Sequence, residues 1–362
     1  MKKTIQLVLI VAVGLATEVA KADFTFGEPT NLGPTVNSSR DEYDPSISTD
    51  GLSLYFMTVY PPGGSGSSDL YVARRETIDE DWDTAVNLGP IVNSSAFEYG
   101  PDISCDGLSL YFNAWIPGDD VDVFVTRRTT TDDPWGPPIN LGPPVNTSAN
   151  ESAPHISDDG LALYFDDWGM QVRYRPGGMG REDLWIATRA SVSDPWGPPV
   201  NLGGPVNTAY RDDSPDTSAD GLVLLVTSKR PGGFGGSDIW MSRRTTIEDD
   251  WGLPMNLGSI VNSPAHEEAQ TISVDGKTLY LHSNRSGGIG GYDLWQAPVI
   301  PIIDLNSDGI VDAEDMCIIV DHWGTDYPLC DIGPMPWGDG IVDVEDLKVL
   351  AEHLFEEGPP VQ

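Results

Sequence analysis

The sequence predicts an all-β five-bladed β-propeller followed by a small C-terminal α-helical calcium-loop domain. Three observations carry that expectation. A phrase of about 55 residues is written five times, marked by Asn-Leu-Gly at Asn31, Asn87, Asn140, Asn201 and Asn256. Each copy also holds a Ser-x-Asp-Gly turn, at Gly51, Gly107, Gly160, Gly221 and Gly276, followed by a run such as Leu108-Ser-Leu-Tyr-Phe112. Turn-rich repeats of this length, built from β-formers, each specify one small sheet of a propeller. After the last copy an acidic stretch carries two loop–helix patterns. The expected organisation is a signal peptide at 1–22, the propeller at 23–298, a linker at 299–303 and the calcium module at 304–357.

The N-terminus bears Lys2 and Lys3, an apolar run from Leu7 to Leu15, and Ala20-Lys21-Ala22 before Asp23. That is the layout of a cleaved secretory signal, too short in its apolar core to span a bilayer. The sequence therefore predicts a secreted or cell-surface protein without a membrane span. The formal net charge of -36 excludes nucleic acid and anionic lipid as partners. Of the three cysteines, Cys317 and Cys330 are close enough in sequence to form a disulfide in an oxidising compartment. Cys105 falls on a tolerant turn position and is given no catalytic role.

Within one repeat the elements follow in order. In the second copy, Pro101-Asp-Ile-Ser is the first strand and Asp106-Gly107 a tight hairpin. Leu108 to Asn113 is the second strand, alternating and aromatic-rich. Val121 to Arg128 is the third, and Pro134-Trp135-Gly136 leads to the fourth. Trp82, Trp135, Trp196 and Trp251 are expected to pack between blades. Arg74-Arg75, Arg127-Arg128 and Arg243-Arg244 end third strands, where ion pairing with surface acids is the plain account. Asn37, Asn93 and Asn146 begin glycosylation sequons, but they belong to the repeat phrase and read as turn chemistry. The fifth copy lacks its fourth strand, while the chain supplies that strand near its start, Phe26 to Gly33. The N-terminal strand is therefore expected to complete the last blade.

The repeat unit, best seen in Lys229-Arg230-Pro-Gly-Gly-Phe-Gly-Gly-Ser-Asp-Ile-Trp240, resembles the WD-like propeller repeats of TolB-type and tricorn-type bacterial proteins. The resemblance covers residues 24 to 297. It implies the fold and leaves the function open, because that family includes partner-binding and enzyme-attached propellers.

Aligned on the hairpin glycine, the repeats place Glu42, Glu98, Glu151, Asp212 and Glu267 in register. Two readings stand. Five carboxylates ringing one channel mouth would repel one another and attract a cation or sugar. Alternatively each acid bonds locally within its blade, to an arginine of the Gly/Pro loop among others. Unlike residues follow at Ser46, Asp102, His155, Asp216 and Thr271, and Asp102, His155 and Asp216 are expected to lie close together. Carboxylate pairs are the equipment of glycoside hydrolysis, and the insertion around Trp168 to Tyr174 offers an aromatic platform. No Gly-x-Ser-x-Gly elbow, His-Glu-x-x-His or P-loop is present.

In the C-terminal module, Asp304, Asn306, Asp308, the Ile310 carbonyl, Asp312 and Asp315 fall at the ligand positions of an EF-hand loop. A second copy keeps Asp339, Ile341, Asp343 and Asp346 but has Met335 and Trp337 where two ligands usually stand. Ca2+ is the expected cofactor. Helices are predicted near Ala313 to His322 and Val344 to Leu354. This pair of units resembles a type I dockerin, which implies a cohesin-like docking partner. The combined expectation is a secreted propeller that binds a polysaccharide or protein at its mouth and is anchored through the calcium module. The alternatives are a glycoside hydrolase or lyase acting through the acids above, and a purely structural assembly protein.

Overall fold

The computed structural model describes residues 24–115, 120–168, 174–301, 303, 305, 310–325, 330–333 and 341–354. Each repeat supplies one four-stranded antiparallel unit. The first contains β3 (Glu42–Ile47), β4 (Ser53–Val59), β5 (Ser68–Arg74) and β6 (Val86–Asn87). The second contains β7 (Phe97–Ile103), β8 (Ser109–Trp115), β9 (Val121–Arg127) and β10 (Ile139–Asn140). The third has β11 (Ser152–Ile156), β12 (Ala162–Asp166), β13 (Leu184–Thr188) and β14 (Val200–Asn201). The fourth has β15 (Asp212–Thr217), β16 (Val223–Ser228), β17 (Asp238–Arg243) and β18 (Met255–Asn256). The fifth has β19 (Glu267–Ile272), β20 (Thr278–Ser283) and β21 (Asp293–Pro301), to which the N-terminal β1 (Phe24–Phe26) and β2 (Thr30–Asn31) are added.

The N-terminal strands close the last unit. Thr25 pairs with Ile300, and Asn31 pairs with Trp295. First strands meet in succession: β3 packs on β7, β7 on β11, β11 on β15, β15 on β19, and β19 on β3 again. The units thus surround a common axis, as a propeller requires.

The core lies between units rather than within them. Tyr55, Leu70 and Val72 of the first unit interdigitate with Leu110, Phe112 and Trp135 of the second. Phe24 and Phe26 join Ile239 and Met241 of the fourth unit to Leu279 and Leu281 of the fifth. A flat sheet buries its two faces only against neighbours, so the alternating apolar runs dictate this stacking.

Two sequence expectations are refined here. The tryptophans do pack between units, Trp135 against Tyr55 and Trp82 against Tyr280. The second arginine of each pair, however, does not seek a surface acid. Arg75, Arg128 and Arg244 lie over Trp82, Trp135 and Trp251 at 4.2–4.4 Å, and each Nε donates to a hairpin glycine carbonyl at 2.8 Å. A stacked guanidinium keeps its fork free for such bonds.

Asn37, Asn93 and Asn146 are buried, each bonded at both ends to a neighbouring backbone residue such as Leu294 or Leu70. They are turn clamps and do not present an acceptor to solvent.

In the C-terminal module, α1 (Ala313–Asp321) and α2 (Val344–Glu352) pack around Val311, Ile319, Val342 and Leu350. Cys317 is exposed and Cys330 buried, and both are free thiols. The two are not joined in the disulfide that their spacing allows. No described helix is long and apolar enough to cross a membrane. The proposed signal peptide, residues 1–22, lies outside the described residues.

Candidate functional site

Every first strand carries the same irregularity. Its pairing with the second strand slips by a bulge, between Tyr43 and Ser46 in the first unit and at equivalent positions in the other four. The bulge residue is left-handed each time: Asp44 (φ 55), Gly100 (φ 59), Ala153 (φ 42), Ser214 (φ 50) and Ala269 (φ 45). Only one of the five is glycine, so four residues hold an uncommon conformation at some cost. The bulge amide is held across the unit boundary. Gly100 donates to Asp44 Oδ2, Ala153 to Asn113 Oδ1, Ser214 to Asp166 Oδ2, Ala269 to Thr227 Oγ1 and Asp44 to His282 Nδ1, all at 3.0–3.2 Å. A bulge re-aims side chains. Here it divides the axial region into a wide pocket on one side and a narrow channel on the other.

The aligned acids are not at the mouth. Glu42, Glu98, Glu151, Asp212 and Glu267 are all buried inside their own units. Each accepts from a hydroxyl four residues earlier, as Ser38 Oγ does to Glu42 at 2.6 Å and Thr147 Oγ1 to Glu151 at 2.7 Å. Arg175, Arg230 and Arg285 of the Gly/Pro loops pair with Glu151, Asp212 and Glu267 at 2.7, 2.7 and 3.1 Å. The local reading therefore describes their geometry, and the five do not form a channel-mouth ring. Burial pushes the Glu42 and Glu151 carboxyls up to about 7, against the lowering effect of their hydrogen bonds.

Asp102, His155 and Asp216 do come together. They line the narrow channel, with His155 Nδ1 3.2 Å from Asp216 Oδ1 and 3.5 Å from Asp102 Oδ2. Ser46, Asp102 and His155 also accept backbone amides of the next unit, from Ile103, Ile156 and Thr217. Burial opposes charge on His155, but the two aspartates outweigh it and push the imidazole up to about 9.

The wide pocket is a cavity of about 490 Å³. Its residues come from the position next to the aligned acid, where the repeats differ: Tyr43, Tyr99, Ser152, Asp213 and Glu268. Trp168, Tyr292, Asp166, Arg211 and the histidines His266 and His282 complete much of the wall. Arg211 holds two carboxylates. It bonds Asp213 through Nε and reaches Glu268 through both terminal nitrogens at 3.3 and 3.2 Å. Ser237 Oγ also donates to Glu268 at 2.5 Å.

The two carboxyls are driven apart. Burial, only partly offset by Arg211, holds Asp213 well above the usual carboxylate range. Burial would raise Glu268 too, but the neighbouring His266 and His282, 3.4 and 3.8 Å away, and the Arg211 charge hold it well below. Asp166 is pushed up to about 7 by burial, against two backbone amide bonds from Ser214 and Trp168. Two carboxyls shifted in opposite directions thus share one aromatic-walled cavity. The available signal for these residues was variation at one aligned position in otherwise uniform repeats. Trp168, singled out by its insertion, does line the pocket, edge-on to Tyr99 at 6.0 Å.

In the C-terminal module the described half of each loop has one design. Asp312 and Asp343 cap the helices by accepting from Glu314 and Glu345. Asp315 and Asp346 are fully buried and turn back to accept the amides of Asp312 and Asp343. Asp315 also accepts from Leu305, and Asp346 from Ile332 and Gly333. These acids, together with Ile310 and Ile341, suit a hard cation that takes oxygen ligands. Asp304, Asn306, Asp308 and Asp339 lie outside the described residues.

No protein-family model and no curated protein sequence matches the chain. Solved structures do. A thermostable family-43 glycoside hydrolase matches with TM-score 0.50 and 12% identity, over 75% of this chain and 92% of that one. The catalytic domain of a GH62 α-L-arabinofuranosidase of Coprinopsis cinerea matches with TM-score 0.51 and 10% identity, over 76% and 97%. TolB of Acinetobacter baumannii matches with TM-score 0.45 and 14% identity, over 73% of this chain and 56% of that one. The chain therefore spans little more than half the length of that TolB. Likeness at this level of identity establishes the propeller fold alone.

Proposed function

We propose that this protein is a secreted five-bladed propeller that binds a carbohydrate in its wide pocket. A C-terminal dockerin-like module would be stabilised by Ca2+ and would dock onto a cohesin-like partner. The observation that carries the binding reading is the wall of the pocket. Tyr43, Tyr99, Trp168 and Tyr292 offer flat apolar faces, while Arg211, Asp166 and Glu268 offer charged hydrogen-bonding groups. Sugar rings present apolar C–H faces rimmed by hydroxyls, and they are met by that mixture. A cavity of about 490 Å³ holds one or two rings.

One observation favours a second reading, glycoside hydrolysis. Asp213 is held well above the usual carboxylate range and Glu268 well below it within the same pocket. Environments that push two carboxyls apart are how general acid and base or nucleophile are assigned. In that reading Asp213 gives its proton to the leaving oxygen, and Glu268 acts on the anomeric carbon directly or through water.

A glycan array and a polysaccharide-hydrolysis screen of the full chain with Ca2+ test both readings against Trp168→Ala and Glu268→Gln. Binding lost in Trp168→Ala, without turnover, is expected from a binding module. Turnover abolished in Glu268→Gln would establish hydrolysis. Absence of both binding and turnover would overturn the carbohydrate reading.

A further inference from the structure

We infer that Asp102, His155 and Asp216 hold a divalent transition-metal cation such as Zn2+ in the axial channel, behind the bulge ring that floors the wide pocket. Three successive units each contribute one ligand from the same aligned position, and the three ligand atoms lie within 4.8 Å of one another. With metal–ligand bonds of about 2.0–2.1 Å, a tetrahedral site has edges of about 3.3–3.4 Å. The Nδ1-to-carboxylate separations here are 3.2 and 3.5 Å.

The histidine supplies the independent observation. The whole residue His155 is 8% exposed, and its Nδ1 lies 3.2 and 3.5 Å from the two carboxylates without hydrogen-bond geometry to either. Nδ1 thus faces the space that both acids share. The carboxylates are already oriented: Asp102 accepts from Ile156 at 2.7 Å and from Ser46 at 3.2 Å, and Thr271 Oγ1 lies 3.5 Å from Asp216. Outer partners of this kind fix metal ligands in place.

The channel cavity is about 40 Å³, room for about one water as fourth ligand. One imidazole with two carboxylates suits Zn2+ or Mn2+ better than Ca2+, which prefers oxygen alone. A cation on Nδ1 competes with the ring proton for the same lone pair, so uptake weakens on acidification.

This inference does not depend on the carbohydrate reading, since the site shares with the wide pocket only wall residues such as Asp44 and Gly100. The test uses the full chain, stripped with chelator and then saturated with Ca2+. Zn2+ uptake is measured by equilibrium dialysis for the wild type, His155→Gln and the Asp102→Asn, Asp216→Asn double variant. The expected result is one Zn2+ equivalent that both folded variants lose. Equal uptake by a folded His155→Gln variant, or no uptake by the wild type, overturns the proposal. Should the variants not fold, the Co2+-loaded wild type decides. Intense visible bands of four-coordinate Co2+, with one nitrogen ligand by X-ray absorption, support the site, and weak six-coordinate bands or an all-oxygen shell overturn it.

Discussion

The Asn31 side-chain amide donates to Asp293 Oδ2 at 2.8 Å, tying the beginning of the described chain to its last repeat. The same pairing recurs inside single repeats, Asn87 to Asp69 and Asn256 to Asp238, both at 2.8 Å. The N-terminal segment thus does for the fifth unit what a fourth strand does for the others. It also brings Phe24 and Phe26 into the apolar cluster between the fourth and fifth units. Deleting 24–33 removes this strand and exposes the face it covers. The variant is expected to unfold below the wild-type transition or to self-associate, as measured by calorimetry with light scattering. An unchanged melting curve in a monomer would refute closure by this strand.

Arg211 binds Asp213 and Glu268 together, so its loss leaves Glu268 charged and poorly compensated. Removing one partner of a buried pair costs about 3–5 kcal/mol. Arg211→Met is expected to destabilise the full chain by that order in denaturant titrations. Adding Glu268→Gln removes the stranded charge, and the double variant should recover about 0.5–3 kcal/mol relative to the sum of the singles. Simple additivity would show that Arg211 and Glu268 are not coupled.

The architecture was legible because it repeats. The Asp-Gly hairpins, the alternating second strands and the missing fourth strand of the last repeat each had one physical solution. The site was less legible because attention to repetition selects structural residues. Glu42 and its four counterparts recur in every repeat because each bonds a hydroxyl of its own unit. Asp213 and Glu268 stand one position later, where Tyr43, Tyr99 and Ser152 occupy the other repeats. What makes that position face the pocket is a left-handed bulge at the following residue. Nothing in Asp44, Ala153, Ser214 or Ala269 announces that conformation, since none is glycine. Asp102, His155 and Asp216 could be brought together from sequence because they follow the bulge in three successive repeats.

The buried repeat acids set the pH response. Glu42 and Glu151 are raised from an ordinary carboxyl value to about 7 in the fold. A carboxyl with a raised folded pKa stabilises fully below its unfolded value, near 4.5, and loses that contribution as pH rises through about 7. Each is worth on the order of 3 kcal/mol across that window. Asp166 and Asp216, also raised to about 7, act in the same direction. The melting temperature is therefore expected to fall between about pH 5 and about pH 7.5. Glu42→Gln should flatten the slope by one group's share while retaining a partner for Ser38. A melting temperature that rises over this range would contradict the burial argument.

The C-terminal module gives the last prediction. Asp315 and Asp346 are fully buried acids at the ends of their loops, and each receives backbone amides that draw the loop around it. Amide bonds offset only part of the cost of burying a carboxylate, and a cation that binds only the folded loop would offset the rest. Stabilisation then follows mass action, about 2.7 kcal/mol at a hundredfold excess over the dissociation constant. Ca2+ is expected to raise the melting transition of this module within the full chain. Asp304→Ala with Asp308→Ala should abolish most of that rise, because the first loop keeps every ligand position and the second has Met335 and Trp337 in two. Retention of the full Ca2+ response in that variant would move the binding to the second loop. Equal stability in excess chelator would remove calcium from the module altogether.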